Sequence, residues 1–341
     1  MGPSDEIIRE YGRRLRGIAE DQVGRAAPVE HCLRVAGRGV SLRFAGAALV
    51  PAILPALRHL AADLTGPADL TVLLCDTGST GVEMPSAPWH TGHDQAWALR
   101  TERFSTLYLP ALDSTWWIDR QDRLAIYWTR DASSVPIAAR SSPLLTLWAW
   151  WLDESGVQLT HAAAVGGANG AALLVGPGGS GKSTTALGCL RSSLRYLADD
   201  YCLVDSSPEP VVHSLYNSGK VGVRDEARFG WLRPAWAAQD VEKALYFLYP
   251  TLEHRLVSEL PLRVILVATV TGRPETTLTP VSGMEALRAV APSTLLQLRV
   301  GVDSTRAMTR MADVARRLPA YRLGLGTAVD QIPETIARLV E

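Results

Sequence analysis

The chain has 341 residues, about twice the usual length of one domain, so we expect two domains. Its 34 Lys and Arg residues nearly balance its 35 Asp and Glu residues, and the net charge of −1 excludes a strongly basic nucleic-acid binder and a polybasic membrane anchor. A hydrophobic content of 47% is enough for large cores and argues against disorder. Only three basic residues are lysines: Lys182, Lys220 and Lys243. Arginine could supply charge alone, so each lysine is a candidate for a role that needs a compact ammonium group.

Four cysteines lie far apart without a Cys-x-x-Cys pair, which predicts neither a disulfide framework nor a thiolate zinc site. The N-terminus is charged and lacks the apolar core of a secretory signal. The longest apolar stretch, around residues 144–152, is too short to span a bilayer. The sequence therefore predicts a soluble cytoplasmic protein with no membrane partner. A homo-oligomer is left open.

Composition changes near the middle of the chain. Eight of the ten tryptophans lie between residues 89 and 151, and a glycine-rich stretch follows. We place the domain boundary near residue 150. Residues 1–150 are predicted to form an α+β domain, a candidate for substrate recognition, and residues 151–341 an α/β domain.

The predicted elements of the first domain begin with an amphipathic helix, indicated by apolar residues at helical spacing (Ile7, Ile8, Tyr11, Leu15 and Ile18). Strands are predicted over residues 32–35, 40–44 and 70–75, and an antiparallel meander over 104–109, 115–118 and 124–128. Trp116, Trp117 and Trp128 either pair across strands inside a core, which we favour, or form a binding surface.

The second domain is predicted to open with an antiparallel hairpin, in which strands 159–165 and 171–175 flank the glycine-rich loop 166–170. Later elements are a helix from Lys182, strands over 195–198, 201–204 and 264–270, a helix capped by Ser282-Gly-Met-Glu285, a helix over 304–317, a strand over 321–325 and a helix from Asp330. Helices and strands alternate around a glycine loop, as is typical of an α/β domain.

The glycine loop matches the phosphate-loop motif G-x-x-x-x-G-K-[ST] in full, between an apolar strand and a helix-compatible segment. Glycines allow successive backbone N–H groups to turn inward around phosphate oxygens, and the following helix adds the positive end of its dipole. Lys182 would reach the β- and γ-phosphates, and the Ser183 hydroxyl would bind Mg²⁺. A glycine turn without nucleotide is the alternative. The residues expected to bind the nucleotide are Gly176, Gly178, Gly179, Ser180, Gly181, Lys182, Ser183 and Thr184.

Two adjacent carboxylates, Asp199 and Asp200, close the strand after the loop helix. A phosphotransferase has two tasks for carboxylates, because one holds Mg²⁺ and the other accepts the proton of the attacking hydroxyl. Neighbouring strand residues point to opposite faces, so both tasks at one site require a bend after Asp199. Beside a full phosphate loop we favour these roles over a solvated turn.

Several other residues are weaker candidates. His161 is predicted in mid-strand, where it would either orient a catalytic Asp or be an interior histidine with its own partners. Lys220 is predicted in a loop, and Lys220, Arg224 and Arg228 would either clamp phosphate or substrate or be solvated cations. The pair His90-Thr-Gly-His93 is a poor metal site, because no Cys or third His lies near it.

These motifs together resemble a known family. The run Thr160-His161-Ala-Ala-Ala, the hairpin, the phosphate loop and Leu197-Ala-Asp199-Asp200 are similar, in order and spacing, to the catalytic domain of HPr kinase/phosphorylase. Lys220 in its Leu-Tyr-x-x-x-Lys context and the segment Glu285 to Thr294 resemble the HPr-kinase-like proteins associated with lasso-peptide biosynthesis. The resemblance covers about residue 157 to the C-terminus. It implies a P-loop kinase fold of the HPr kinase and phosphoenolpyruvate carboxykinase type.

The resemblance also implies roles for single residues. Lys182 and Ser183 would bind phosphate and Mg²⁺, Asp199 and Asp200 would share the metal and general-base tasks, and His161 would support them. The chain lacks the glycine-rich signature that contributes an acidic Mg²⁺ contact in HPr kinases. The resemblance therefore implies neither HPr as the acceptor nor the reverse reaction.

The sequence as a whole predicts a kinase that uses ATP and Mg²⁺ to phosphorylate a hydroxyl. We expect the acceptor to be a serine of a precursor peptide or small protein, as in peptide natural-product tailoring. Two alternatives stay open. The chain could phosphorylate a small molecule such as a sugar or an amino acid, or it could bind ATP as a regulator without catalysis.

Overall fold

The computed structural model describes residues 3–25, 29–87, 97–223, 225–237, 242–297 and 302–341. The chain divides into two compact units, Met1–Trp151 with Val300–Val302, and Leu152–Arg299 with Asp303–Glu341. The separate roles assigned to residues 1–150 and 151–341 stay predictions. None of the described helices is long and apolar enough to cross a bilayer.

The first unit combines helices with a mixed sheet. Its helices are α1 (Pro3–Arg25), α2 (Val50–Leu57), α3 (Thr77–Thr80), α4 (Ile137–Ser141) and α5 (Leu145–Leu152), the last of which crosses the unit boundary. Its strands are β1 (Val29–Val35), β2 (Arg38–Phe44), β3 (Leu70–Asp76), β4 (Trp97–Arg100), β5 (Phe104–Leu109), β6 (Ser114–Asp119) and β7 (Leu124–Thr129).

The described part of this unit forms a seven-stranded sheet in the order β1-β2-β3-β7-β6-β5-β4. The antiparallel meander β5-β6-β7 is confirmed, and β3 joins it by pairing parallel to both β2 and β7. Trp117 and Trp128 are buried against α1, as the core interpretation predicted. Trp116 is half-buried and packs on Tyr127 of the adjacent strand, with ring centroids 5.1 Å apart.

The second unit carries the glycine loop. Its helices are α6 (Lys182–Cys189), α7 (Gly283–Gln297), α8 (Ser304–Arg317) and α9 (Gln331–Val340). Its strands are β8 (Val157–Thr160), β9 (Ala163–Gly166), β10 (Ala171–Val175), β11 (Arg195–Ala198), β12 (Cys202–Asp205), β13 (Val211–Ser214), β14 (Ser218–Gly222), β15 (Lys243–Phe247), β16 (Glu259–Val270), β17 (Thr277–Pro280) and β18 (Ala320–Leu325).

The main sheet of the second unit has β16 at its centre. Within the described residues the sheet runs β11-β9-β10-β16-β13-β12-β8, while β18 also pairs with β16 and β17 pairs with β18. Strands β10, β16 and β18 are parallel neighbours, so their carboxyl ends lie at one edge. Ligands of open α/β sheets bind outside the carboxyl ends of the strands, and the glycine loop follows β10 at this edge. The mixed α/β character of this unit is confirmed.

The prediction of a single strand over residues 159–165 is wrong. The chain changes neighbours at His161, because β8 pairs with β12 whereas β9 pairs with both β10 and β11. His161 and Ala162 form the break, where the Ala162 N–H donates to the Thr160 carbonyl at 3.1 Å. The predicted hairpin is confirmed as the antiparallel pair β9-β10.

A separate two-stranded ribbon, β14-β15, was not predicted from the sequence. Its β14 strand packs closely on α6, where a Cβ atom on Gly219 would lie 2.6 Å from Leu187 Cδ2. A larger residue at this position would have to displace the fully buried Leu187 side chain. The ribbon is thereby held next to the helix that begins at Lys182.

Candidate active site

The glycine loop connects the fully buried strand β10 to helix α6, as predicted. Gly176, Gly179 and Gly181 have φ values of +144°, +79° and +94°, which L side chains rarely adopt. A Cβ atom on Gly181 would also lie 2.5 Å from Leu325 Cδ1. Because the residue before α6 is a glycine, no side chain caps the first turn of this helix. Its first N–H groups are therefore available to an anionic ligand.

The Lys182 side chain folds over the loop. Its Nζ donates to the carbonyl oxygens of Gly176 at 2.8 Å and Pro177 at 3.1 Å. Burial lowers the pKa of Lys182, while the charges of Asp200 and Asp199 oppose this change. The ammonium group therefore lies within electrostatic reach of both carboxylates.

Asp199 is the more buried member of the acidic pair, with 1% of its surface exposed. Its Oδ2 accepts a hydrogen bond of 2.7 Å from the backbone N–H of Lys220. Its Oδ1 is buried and has no hydrogen-bond partner among the described residues. Burial raises the pKa of Asp199 to about 7, and the neighbouring charge of Asp200 adds to this effect. The Ser183 hydroxyl lowers the pKa of Asp199 and offsets part of this increase.

Asp200 has a different environment, because the chain bends at these two residues as predicted. One of its carboxylate oxygens lies 3.4 Å from His161 Nε2, and the other forms an ion pair with Lys220 Nζ. Burial opposes ionisation of Asp200, but the His161 hydrogen bond and the Lys220 charge outweigh it and hold the pKa below its usual range. The two adjacent carboxyl groups thus have pKa values shifted in opposite directions.

His161 lies at the break between β8 and β9 rather than in mid-strand. Its backbone N–H donates to Thr294 Oγ1 on α7 at 3.0 Å, and its ring lies 5.3 Å from the ring of Tyr201. Its Nδ1 is buried and meets no hydrogen-bond acceptor or donor in the described chain. The interpretation of His161 as a residue that orients an aspartate fits this geometry.

Lys220 is in strand β14, so its predicted loop position is wrong, and its pairing with Asp200 excludes a merely solvated cation. Gly219, the glycine before Lys220, is typical of a turn, but here it serves close packing on α6. Arg224, His90 and His93 lie outside the described residues.

The residues around the loop fit a nucleotide with Mg²⁺. The Ser183 and Thr184 hydroxyls are half-buried in the first turn of α6, and Ser180 Oγ is buried without a partner in the part of the chain described. The unpartnered Oδ1 of Asp199 adds a carboxylate oxygen, and oxygen atoms are the ligands that Mg²⁺ prefers. The described residues contain no group of three or more His, Cys, Asp or Glu that could cage a metal alone. Mg²⁺ in proteins is commonly held by one or two carboxylates together with substrate phosphates.

Two residues near the site were missed or left without a role by sequence reasoning. Thr294 is fully buried and holds the backbone of His161, and no sequence pattern marks it for that task. Lys243, at the start of β15, is exposed, and its charge lowers the pKa of Lys182 after the larger effect of burial. Because the chain has only three lysines, Lys243 could have been selected from the sequence as a candidate for this site.

Comparisons with known proteins give little direct identification. No protein-family model matches the chain, and no curated protein matches it. Among solved structures, the HPr(Ser) kinase/phosphatase from Coxiella burnetii is a structural neighbour, with a TM-score of 0.30 and 8% identity over 52% of this chain and 92% of that one.

Proposed function

We propose that the protein is a phosphotransferase that uses ATP and Mg²⁺ to phosphorylate a hydroxyl group. The observation that carries the proposal is the position of Asp199 and Asp200 beside a complete phosphate loop, where the Ser183 hydroxyl acts on Asp199 and both carboxylates act on the Lys182 ammonium. A loop that only bound nucleotide would need no adjacent carboxyl groups with pKa values shifted apart. Such pairs are typical of sites where proton and metal tasks are divided.

Asp199 and Ser183 are the residues we assign to Mg²⁺. The Asp199 Oδ1 has no partner in the described chain, and its Oδ2 is already held by the Lys220 N–H. Bound Mg²⁺ would neutralise phosphate charge and favour the ionised form of this buried carboxyl. A raised pKa in the absence of metal is thus what we expect for a buried carboxyl whose negative charge is balanced by a bound cation.

Asp200 is then the residue we assign to the acceptor proton. The acceptor oxygen forms a bond to the γ-phosphorus, the bond from this phosphorus to the β–γ bridging oxygen breaks, and ADP leaves with the electron pair. The hydroxyl proton passes to the Asp200 carboxylate, which His161 and Lys220 hold in place. In a loose phosphoryl-transfer transition state positioning and charge dominate, so a carboxylate of low pKa is adequate.

The acceptor we propose is a serine of a peptide or small protein. The sequence resemblance to HPr-kinase-like proteins supports this acceptor class. The site is also open enough to be reached, since the side chains of Asp200 and Lys220 keep 23% and 21% of their surface exposed. A hydroxyl on a large acceptor can approach such a site without the enclosure that a small substrate requires.

Mass spectrometry of serine-containing peptides incubated with the protein, ATP and Mg²⁺ tests this function. Peptides encoded beside the gene are the first candidates. We expect one phosphoserine per acceptor, with an equal amount of ADP formed. The same peptide with serine replaced by alanine should remain unmodified, and Lys182→Ala protein should transfer nothing. Binding of ATP without transfer to any peptide or small molecule would overturn the proposal in favour of a nucleotide-binding regulator.

A further inference from the structure

The ribbon β14-β15 brings a second lysine to the face that carries Lys220. In this antiparallel pair Gly222 lies opposite Lys243, and Lys220 lies opposite Leu245. Directly opposite residues share a face of the ribbon, as do residues two apart along one strand. Lys220 and Lys243 therefore project from the same face. The other face, with Val221, Ala244 and Tyr246, belongs to the core.

Lys243 is also close to the phosphate loop. Lys220 and Lys243 are diagonal neighbours across the ribbon, a spacing that long side chains can bridge, and the Lys220 side chain pairs with Asp200. The same ribbon packs through Gly219 on Leu187 of α6, the helix that follows the loop. The three lysines of the chain thus meet in one region.

The charges in this region are not balanced by the protein. Lys220 is neutralised by Asp200, which also faces His161. Lys182 donates only to uncharged carbonyl groups, and Lys243 is exposed and forms no ion pair with any described carboxylate. Two ammonium groups and the open N-terminus of α6 therefore favour a ligand with several negative charges.

We propose that Lys243 binds the terminal phosphate of the nucleotide and thereby distinguishes a triphosphate from a diphosphate. The inference rests on the proposed function, because it assumes that the glycine loop holds the remaining phosphates. Lys243 shares its face of the ribbon with Lys220, which contacts Asp200. The group it reaches is thus the phosphate next to the acidic pair. A flexible ammonium on an exposed strand end suits a group that moves during transfer.

Calorimetric titration of the full chain with ADP and with a non-hydrolysable ATP analogue, both with Mg²⁺, tests the inference. We expect Lys243→Met to weaken binding of the triphosphate analogue at least about tenfold, as for loss of a charge-assisted hydrogen bond. The same variant should change ADP affinity less than about twofold. Lys243→Arg keeps the charge and should retain most of the preference. Arg233→Met removes an exposed cation from the segment between the two strands and should alter neither affinity.

Two results would contradict the inference in different ways. Equal affinity of wild-type and Lys243→Met protein for the triphosphate analogue would overturn the role of Lys243 alone. A wild-type protein that bound neither nucleotide would overturn the proposed function and this inference together.

Discussion

The backbone N–H of Lys220 donates a 2.7 Å hydrogen bond to Asp199, while the side chain of the same residue pairs with Asp200. One strand residue therefore fixes both members of the acidic pair, each through a different group. The backbone hydrogen bond to Asp199 is retained in any variant in which strand β14 still forms, whereas the ion pair to Asp200 requires the lysine side chain. This separation allows the contribution of each contact to be measured.

Lys220→Met should remove the ion pair to Asp200 and leave the hydrogen bond to Asp199. Without the positive charge the pKa of Asp200 rises, so the acidic limb of the pH–rate profile should move to higher pH. We also expect turnover to fall about 10²-fold, in the range seen when one preorganised electrostatic contact is lost. Lys220→Arg, which keeps the charge, should shift the acidic limb less. An unchanged pH–rate profile in Lys220→Met would contradict the pairing.

The raised pKa of Asp199 predicts a pH dependence of stability. Its pKa is about 7 in the folded protein against an ordinary value of 3.8, so between these values the folded chain binds more protons than the unfolded chain. The contribution of Asp199 to stability is therefore lost as pH rises through this window. Asp199→Asn should gain stability relative to wild type from about pH 4 to about pH 7, as measured by denaturant unfolding without nucleotide.

Asp200 supplies a control of opposite sign for that experiment. Its pKa is held low by His161 and Lys220, so its contribution is present at neutral pH and is lost as pH falls below the ordinary range of aspartate. The difference in stability between wild type and Asp200→Asn should shrink on acidification. If both variants showed the same trend with pH, the opposite environments of the two carboxyl groups would be refuted.

Gly181 and Gly178 form a matched pair of loop glycines. Alanine at Gly181 must adopt φ near +94° and would place its Cβ 2.5 Å from Leu325, whereas a Cβ on Gly178 meets no atom within 4 Å. Gly181→Ala should cost more than about 1 kcal/mol, which corresponds to a melting midpoint several degrees lower. Gly178→Ala should melt like wild type. Equal midpoints for the two variants in a calorimetric scan would contradict the loop geometry.

Lys182→Ala should leave the fold intact and weaken nucleotide binding. Its ammonium bonds only to the carbonyl groups of Gly176 and Pro177, so no buried carboxylate loses its partner when it is removed. MgATP should raise the melting midpoint of wild type in a concentration-dependent way and raise that of the variant much less. A variant stabilised as strongly as wild type would show that Lys182 does not contact phosphate.

Much of the local structure could be predicted from the sequence. The glycine loop, the start of α6 at Lys182 and the strand before Asp199 follow from glycine placement and apolar runs, which depend on near neighbours in the chain. The bend at the acidic pair was inferred from the chemistry that two carboxylates would share.

The contacts that complete the site depend on tertiary packing and could not be predicted in this way. The break at His161 arises because β8 and β9 pair with different strands, which no local pattern records. Lys220 was predicted in a loop because the glycine before it also favours turns. The hydroxyl of Thr294 reaches His161 across 133 residues of sequence. Position along the chain gives no hint of such contacts.

The most direct test of the central claim is the rate of acceptor phosphorylation by an Asp199→Asn/Asp200→Asn double variant, compared with wild type by quantitative mass spectrometry. Melting with and without MgATP would first establish that the variant is folded. If the acidic pair beside the phosphate loop performs the transfer, the folded double variant should lose at least about 10²–10³-fold in rate. Near-normal turnover by the folded double variant would contradict the claim.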